Sequence, residues 1–150
     1  MAFRCSGWSR RVILPALLGL ILPGCSARDN RDAVIKSMQR YDRLIEKMDA
    51  DSIALLYTRD GELGTMAKGR DSIRKFLAGF TNVRVLKNQS QTDSLFIKGD
   101  SAVQYGSYHQ DVILATKDTA HLDGRFKSNW KWVENEGWEI HKMETTPVTK

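Results

Sequence analysis

The chain has 150 residues, of which 23 are basic and 18 are acidic, so its formal net charge is +5. This length fits one domain, and two cysteines are too few for a disulfide scaffold. Three of the basic residues lie within the first 11 positions, so the charge excess is weak evidence for nucleic-acid binding.

The first 24 residues differ in composition from the rest of the chain. Arg4, Arg10 and Arg11 precede an apolar run over 12–22, and this segment contains no acidic residue. The run is shorter than the roughly 20 apolar residues that a membrane-spanning helix needs. A positive start, a short apolar core and small residues after it are typical of a signal peptide. We therefore predict a signal peptide at residues 1–24.

The tetrapeptide Leu22-Pro23-Gly24-Cys25 resembles the lipobox of bacterial lipoproteins, although Pro23 replaces the usual Ala, Ser or Thr. The resemblance implies that Cys25 becomes the first mature residue and carries acyl chains. It would tie the protein to a membrane of the bacterial cell envelope, facing the periplasm or the exterior. The alternative is an ordinary cleaved signal with an incidental cysteine.

Removal of the signal changes the charge and the cysteine count. It takes away Cys5 and three of the 23 basic residues, which leaves 20 basic against 18 acidic residues and a net charge of +2. With Cys25 acylated, the mature domain has no free thiol, disulfide or cysteine metal site. We expect a short tether at 25–30 and a folded domain over 31–148, which is long enough to bury a core.

Three amphipathic segments predict helices in the first half of this domain. Apolar residues spaced by three and four from Val34 to Met48 predict the first helix. Asp49 or Asp51 caps a second, shorter one, and Asp60-Gly61 then predicts a turn before a short extended piece. The segment "KGRDSIRKFLAGF" predicts a third helix. Its expected buried face comprises Ile73, Phe76, Leu77 and Phe80.

From residue 81 onward, the apolar period changes from 3.6 to 2. We predict four strands, over 83–96 with an irregular middle, 102–114, 121–132 and 138–146. The punctuating turns are Gly99-Asp100, Lys117-Asp118 and Asn135-Glu136-Gly137. This order predicts an α+β fold in which three N-terminal helices pack on a curved antiparallel sheet.

The order of elements and four local phrases resemble the nuclear-transport-factor-2-like superfamily. The phrases are "DADSIALLYTRDGEL", "GRDSIRKF", "GDSAVQYGSY" and "ENEGWEIHKMETTPV". Within it, they are similar to the SnoaL-like group and to the domain of unknown function 4440. The resemblance implies a cone-shaped fold, with a bent sheet wrapped on helices and a pocket at the wide end. Members include isomerases, cyclases, dehydratases, assembly domains and transport adaptors, so the fold does not give the function.

Strand alternation predicts which side chains face this pocket. On the third expected strand, the apolar side is clear, and it carries Phe126, Ser128, Trp130 and Trp132. On the second, we predict that the inward side carries Val103, Tyr105, Ser107, His109 and Asp111. The drift from apolar to polar along this second set is typical of a pocket mouth, and equally of a strand that runs into solvent.

The expected ligand contacts combine these strand positions with residues from the first helix and the last strand. They are Tyr41, Tyr105, His109, Ser128, Trp130 and Met143. For Tyr41 the alternative is a purely structural place in the helix core. His141 shares an expected strand face with Met143 and Thr145.

The resemblance to ketosteroid isomerase supplies a test for catalysis. That enzyme uses a carboxylate base and a Tyr with a protonated acid. Here the base position falls near Thr65 and the acid near Ser128, so both carboxylates are missing. Glu62 lies on the opposite strand face and is a poor substitute. His109 and Asp111, two residues apart on one strand, remain as an alternative acid–base pair, or as two polar residues at a strand end.

No metal or cofactor is expected, because the three histidines show neither HxH nor HExxH spacing. Three functions stay open. The domain binds a small apolar or amphipathic molecule, or it is a SnoaL-like enzyme that uses His109 or Asp111, or it is a homodimeric assembly or adaptor part. No nucleic-acid partner is expected.

Overall fold

The computed structural model describes residues 31–148. The predicted signal at 1–24, Cys25 and the predicted tether at 25–30 lie outside the described residues. The elements in chain order are α1 (Arg31–Lys47), α2 (Ala50–Leu55), β1 (Tyr57–Leu63), β2 (Ala67–Lys68), α3 (Arg70–Ala78), β3 (Arg84–Lys98), β4 (Ser101–Ile113), β5 (Thr119–Val133) and β6 (Gly137–Pro147). Among these residues, no helix combines the length and the apolar character needed to cross a bilayer.

The six strands form one sheet in the order β2-β1-β6-β5-β4-β3. The four long strands, β3 to β6, are an antiparallel meander, as predicted. The expected antiparallel sheet needs one correction, because β1 pairs with β6 in parallel. The expected run of three helices is also interrupted, since β1 and β2 lie between α2 and α3.

The helices form where the apolar period and the caps predict them. In α1, Val34, Met38 and Ile45 lie on one buried stripe. Asp49 caps α2, where its carboxylate accepts a hydrogen bond from the Ser52 amide at 3.0 Å. These helices cover one face of the sheet, which we call the inner face, and bury it. The opposite side is the outer face.

Two predictions about the first half of the domain were wrong. Asp60-Gly61 lies inside β1, where the β1–β6 register shifts between Tyr57 and Glu62, and the turn comes later, at 64–66. Phe80 lies beyond the end of α3 and is 42 % exposed, because Gly79 ends the helix before the apolar stripe reaches it.

The core lies between α1, α2, α3 and the inner face of the sheet. Its fully buried large side chains are Trp130, Tyr57, Ile53, Ile73, Ile140, Gln104 and Val34. Two irregularities in β3, between Val85 and Lys87 and between Thr92 and Ser94, change which residues of this strand point inward. They account for the irregular middle predicted from the sequence.

Candidate functional site

A cavity of about 400 Å³ opens between α1, α3 and the inner face of the sheet. This volume suits a small organic molecule. Most of its walls are apolar. The apolar lining residues are Met38, Tyr41, Ile45, Met48, Leu63, Met66, Phe76, Leu77, Phe80, Val83, Val85, Tyr108, Val112, Leu114, Leu122, Phe126 and Met143.

The mouth of the cavity is also apolar. Met66, Phe80, Leu114 and Leu122 line the cavity and are 40 to 54 % exposed, so they mark where it meets solvent. Partly exposed apolar side chains around an opening are typical of a binding site rather than of a core. A ligand with an apolar body can therefore enter without crossing a charged rim at these positions.

One wall of the cavity carries a polar cluster built around Asp42. Asp42 Oδ1 accepts a hydrogen bond from Asn88 Nδ2 at 2.8 Å, and Oδ2 accepts from the Ser90 amide at 3.1 Å and its hydroxyl at 2.5 Å. Gln110 Nε2 donates to Asn88 Oδ1 at 2.6 Å. The backbone N–H of Asn88 donates to Glu46 Oε1 at 2.9 Å. The cluster joins α1 to β3 and β4 at a fixed position in the cavity wall.

This carboxylate has an unusual electrostatic environment. Burial raises the pKa of Asp42, although the hydrogen bonds from Ser90 and Asn88 lower it, and the nearby Glu46 adds to the rise. A carboxylate binds about four hydrogen-bond donors, and three of those positions are taken here. Oδ1 accepts one of these hydrogen bonds and Oδ2 accepts two, so Oδ1 has the fewer partners among them.

Two tyrosines pack edge to face beside this cluster, with the ring centres of Tyr41 and Tyr57 separated by 6.4 Å. Burial raises the pKa of Tyr41 to about 12, and it also raises the pKa of Tyr57. Both hydroxyls therefore keep their protons at neutral pH. Tyr41 lines the cavity, whereas Tyr57 is fully buried behind it.

The structure brings together only part of the predicted ligand set. Tyr41 and Met143 line the cavity. Ser128 and Trp130 point inward as predicted, but they are at most 2 % exposed and belong to the packed core behind it.

Tyr105 and His109 do not face the cavity, so the inward assignment of the β4 set was wrong. The inner side of β4 carries Ala102, Gln104 and Gly106 instead, followed by the cavity residues Tyr108, Gln110 and Val112. Gln104 can be buried at little cost because the nitrogen and the oxygen of its side-chain amide both form hydrogen bonds. Its Nε2 donates to Thr92 Oγ1 at 2.8 Å, and its Oε1 accepts from Trp130 Nε1 at 3.0 Å.

Two further sequence positions lie away from the cavity. Thr65 belongs to the turn after β1 and does not line it. His141 does not share the orientation of Met143, because the β5–β6 register shifts next to it, between Asn129 and Trp130. Its Nδ1 lies 3.2 Å from Thr58 Oγ1 and 3.8 Å from Asp60.

The alternative acid–base pair lies on the outer face, within a cluster of two histidines and two aspartates. Asp111 Oδ1 lies 2.9 Å from His109 Nε2 and 2.6 Å from His121 Nδ1. His109 Nδ1 lies 2.7 Å from Asp123 Oδ1. The hydrogen bond with Asp123 is the main reason that the pKa of His109 is raised, and that with His121 lowers the pKa of Asp111. This pair does not face the cavity.

Sequence reasoning missed the polar cluster of the cavity, including its carboxylate, Asp42. It directly follows Tyr41 and lies at the edge of the apolar stripe of α1. An acidic residue at such an edge normally faces solvent. Asp42 has buried hydrogen-bond partners because the irregularity in β3 between Val85 and Lys87 turns Asn88 and Ser90 toward α1.

Comparison with solved structures identifies the fold as that of nuclear transport factor 2-like proteins. A superfamily protein from Salmonella enterica is 20 % identical with a TM-score of 0.67, and the match covers 79 % of this chain and 91 % of that one. A ketosteroid isomerase-like protein from Erwinia carotovora is 14 % identical with a TM-score of 0.70, over 79 % and 96 % of the two chains. A scytalone dehydratase-like protein from Novosphingobium aromaticivorans is 17 % identical with a TM-score of 0.67, over 79 % and 83 %.

No protein-family model matches the sequence, and no curated protein matches it. Similarity at these identities establishes the cone fold alone. The function must be argued from the cavity and its residues.

Proposed function

We propose that this protein binds a small, largely apolar molecule in its cavity and recognises one hydrogen-bond donor of that molecule through Asp42. The observation that carries the proposal is the cavity of about 400 Å³, apolar except for a few polar side chains, of which Asp42, Asn88, Ser90 and Gln110 form one connected cluster. An apolar body supplies the affinity, and the single carboxylate fixes its orientation.

We further propose that the protein is a SnoaL-like member of its fold class and a lipoprotein of the bacterial cell envelope. The four sequence phrases support the first part, and the lipobox at Cys25 supports the second. The signal would occupy 1–24 and the tether 25–30, and the binding domain would begin at residue 31. The membrane is then the partner of Cys25, and the small molecule is the partner of the cavity.

The binding proposal is tested with a matched pair of fluorescent probes, 2-naphthol and naphthalene, which differ by one hydroxyl donor. A hydrogen bond to a charged acceptor contributes about 1.5–3 kcal/mol, so we expect 2-naphthol to bind at least about tenfold more tightly. Asp42→Asn, which weakens the acceptor, should reduce that advantage severalfold, whereas Asp51→Asn on the exposed side of α2 should leave it unchanged. Fluorescence titration of the wild type and the two variants with each probe measures all six affinities.

A second variant shows where the probes bind. Val112 lines the cavity from β4, so Val112→Phe directs a ring into the free volume. We expect both probes to bind more weakly, while circular dichroism shows an intact fold. If neither Val112→Phe nor Asp42→Asn changes the affinity of 2-naphthol, the probe lies outside the cavity and the proposal fails.

The raised pKa of Asp42 favours one competing function, which is proton abstraction from a bound carbon acid. The same carboxylate would take a proton from carbon beside a carbonyl, leave an enolate and return the proton. Deuterium exchange of 2-tetralone in D₂O, followed by NMR, separates the two functions. Exchange that is faster with the wild-type chain than with Asp42→Asn indicates an enzyme, and equal exchange indicates binding alone.

A further inference from the structure

We propose that His109, Asp111 and His121 form a binding site for a divalent first-row transition-metal ion such as Zn²⁺ on the outer face of the sheet, with Asp123 holding His109 in place. The three side chains each offer a ligand atom, and these atoms lie within 4.8 Å of one another. The site is separate from the cavity and does not depend on the function proposed for it.

The β4–β5 register explains why these side chains converge. His109 is directly opposite Asp123, and Asp111 is directly opposite His121. Residues two apart on a strand share a face, so the four form a square in which histidine and aspartate alternate. The histidine rings on one diagonal are nearly parallel, at 14°, with centres 6.4 Å apart. The sheet therefore fixes the positions of the donors.

The distances within the square suit a metal ion after a small adjustment. Asp111 Oδ1 lies 2.9 Å from His109 Nε2 and 2.6 Å from His121 Nδ1. Donor atoms about 2.0–2.2 Å from a tetrahedral Zn²⁺ lie roughly 3.3 Å from one another. Shifts of less than about 1 Å in these side chains would open space for the ion between the carboxylate and the two rings.

Asp123 supplies the support that metal-binding histidines normally have. Its carboxylate lies 2.7 Å from His109 Nδ1, the nitrogen that faces away from Asp111. A carboxylate at that nitrogen holds the proton there and leaves Nε2 free to bind a metal. In the proposed site, Asp123 holds His109 through a hydrogen bond, and His109 binds the metal through Nε2. Asp111 and His121 are the other protein ligands.

Access and ligand chemistry point to the class of ion. The side chains of His109, Asp111 and His121 are 39, 24 and 66 % exposed, so an ion reaches them from solvent. Two imidazoles and a carboxylate suit Zn²⁺ or Cu²⁺, whereas Mg²⁺ prefers oxygen ligands alone. Three protein ligands leave a fourth tetrahedral position for water or for an oxygen of a bound molecule.

The test is calorimetric titration of Zn²⁺ into the full chain, purified without a histidine tag. We expect one saturable site per chain and no comparable binding of Mg²⁺. The variants His109→Ala and His121→Ala should each weaken Zn²⁺ binding at least about tenfold, and Asp123→Asn should weaken it about 10- to 100-fold without removing a ligand. His141→Ala, which changes a histidine on β6 outside the square, is the matched control and should bind like the wild type.

A spectroscopic measurement distinguishes this site from general surface binding. Co²⁺ gains visible absorption when it enters a tetrahedral nitrogen–oxygen site, and this signal should appear with the wild type and with His141→Ala but not with His121→Ala. Unchanged melting temperatures in the absence of metal would show that the variants fold. The proposal is overturned if Zn²⁺ binds the His109→Ala/His121→Ala double variant as tightly as it binds the wild type.

Discussion

Gly106 lies on β4 at a point where neighbouring groups leave no room for a side chain. It pairs directly with Thr92 on β3 and with Phe126 on β5. A Cβ built on it would overlap the backbone oxygen of Gln91 and the ring of Phe126. The absence of a side chain at this position therefore leaves room for the Phe126 ring, which forms part of the cavity wall.

Gly106→Ala should therefore destabilise the domain. Since the methyl group meets backbone and a buried ring, neighbouring groups must move, which costs about 1–3 kcal/mol. The urea midpoint, followed by tryptophan fluorescence, measures the loss. Ser107→Ala, at the adjacent outward-facing position, is the control and should shift the midpoint far less. Equal midpoints for Gly106→Ala and the wild type would show that the strand relaxes freely there.

Single residues also limit what the sequence predicts. Gln104 and Gly106 have no apolar side chain, yet they occupy the inner side of β4, while Tyr105 lies outside. A hydrophobicity pattern cannot anticipate that an amide is satisfied by Thr92 and Trp130, which are distant in the chain. The inward-facing residues of β5 were predicted correctly from its clean alternation. Gln104 on β4 pairs directly with the inward-facing Ser128, so knowledge of this pairing would have corrected the inward face of β4.

At the level of elements, Arg70 connects α3 with β1 and β6. Its Nε donates to the Tyr57 carbonyl at 2.6 Å, and its Nη2 donates to Glu139 at 2.7 Å and to Glu136 at 3.5 Å. Two carboxylates therefore share one guanidinium. Burial and the neighbouring Glu136 raise the pKa of Glu139 to about 7, despite Arg70. Glu136, which is more exposed, has a lowered pKa.

The raised pKa of Glu139 predicts that the contribution of this residue to stability falls as the pH rises. The pKa of Glu139 is higher in the folded state than its usual value of 4.5, so the folded state holds the proton more tightly. The contribution of Glu139 to the free energy of unfolding is complete below about pH 4.5 and is lost by about pH 7. The free energy of unfolding falls by about 1–3 kcal/mol over this range. Glu139→Gln should flatten this fall. Melting temperatures of variant and wild type at pH 5 and pH 7.5 measure the difference.

The control for this experiment is Glu134→Gln, an exposed acid in the turn before β6. This variant should keep the pH dependence of the wild type. Every other titrating group is the same in the two chains and contributes equally to both. If Glu139→Gln loses as much stability between the two pH values as the wild type does, Glu139 is ionised throughout and the pairing with Arg70 outweighs its burial.

The ranges of the strands were easier to predict than which of their side chains face inward. The four long strands lie close to their predicted ranges because a period of two and turn residues mark them. The irregularity at Val85 to Lys87 turns Asn88 and Ser90 toward Asp42 and leaves Leu86 47 % exposed, and no local signal marks it beyond a weak alternation. The sequence predicts an irregular middle for this strand but not which residues it turns inward, so the cavity cluster could not be predicted from the chain alone.

For the whole molecule, the proposed lipid anchor has a direct test. Cys25→Ser removes the proposed acylation site, so the protein should move from the membrane fraction to the supernatant, because a short uncleaved apolar segment anchors less firmly than several acyl chains. Cys5→Ser, within the proposed signal, should keep the wild-type distribution. Ultracentrifugation followed by intact-mass measurement gives both the location and the acyl mass.

A mature mass without added acyl chains in the wild type would contradict the lipobox, and so would a Cys25→Ser protein that stays in the membrane fraction. Either result would leave the cavity proposal untouched, since the lining residues all lie within 31–148.

The parallel pairing of β1 with β6 also affects how the domain folds. It joins Tyr57 to Ile140, positions about 80 residues apart. Closing so large a loop costs conformational entropy that local hairpins avoid, and parallel contacts between distant segments form slowly. The helices, the β1–β2 pair and the β3–β4 hairpin can form early, but β1 pairs with β6 only after β6 has been synthesised. A growing chain therefore remains open along this seam until β6 is available for pairing.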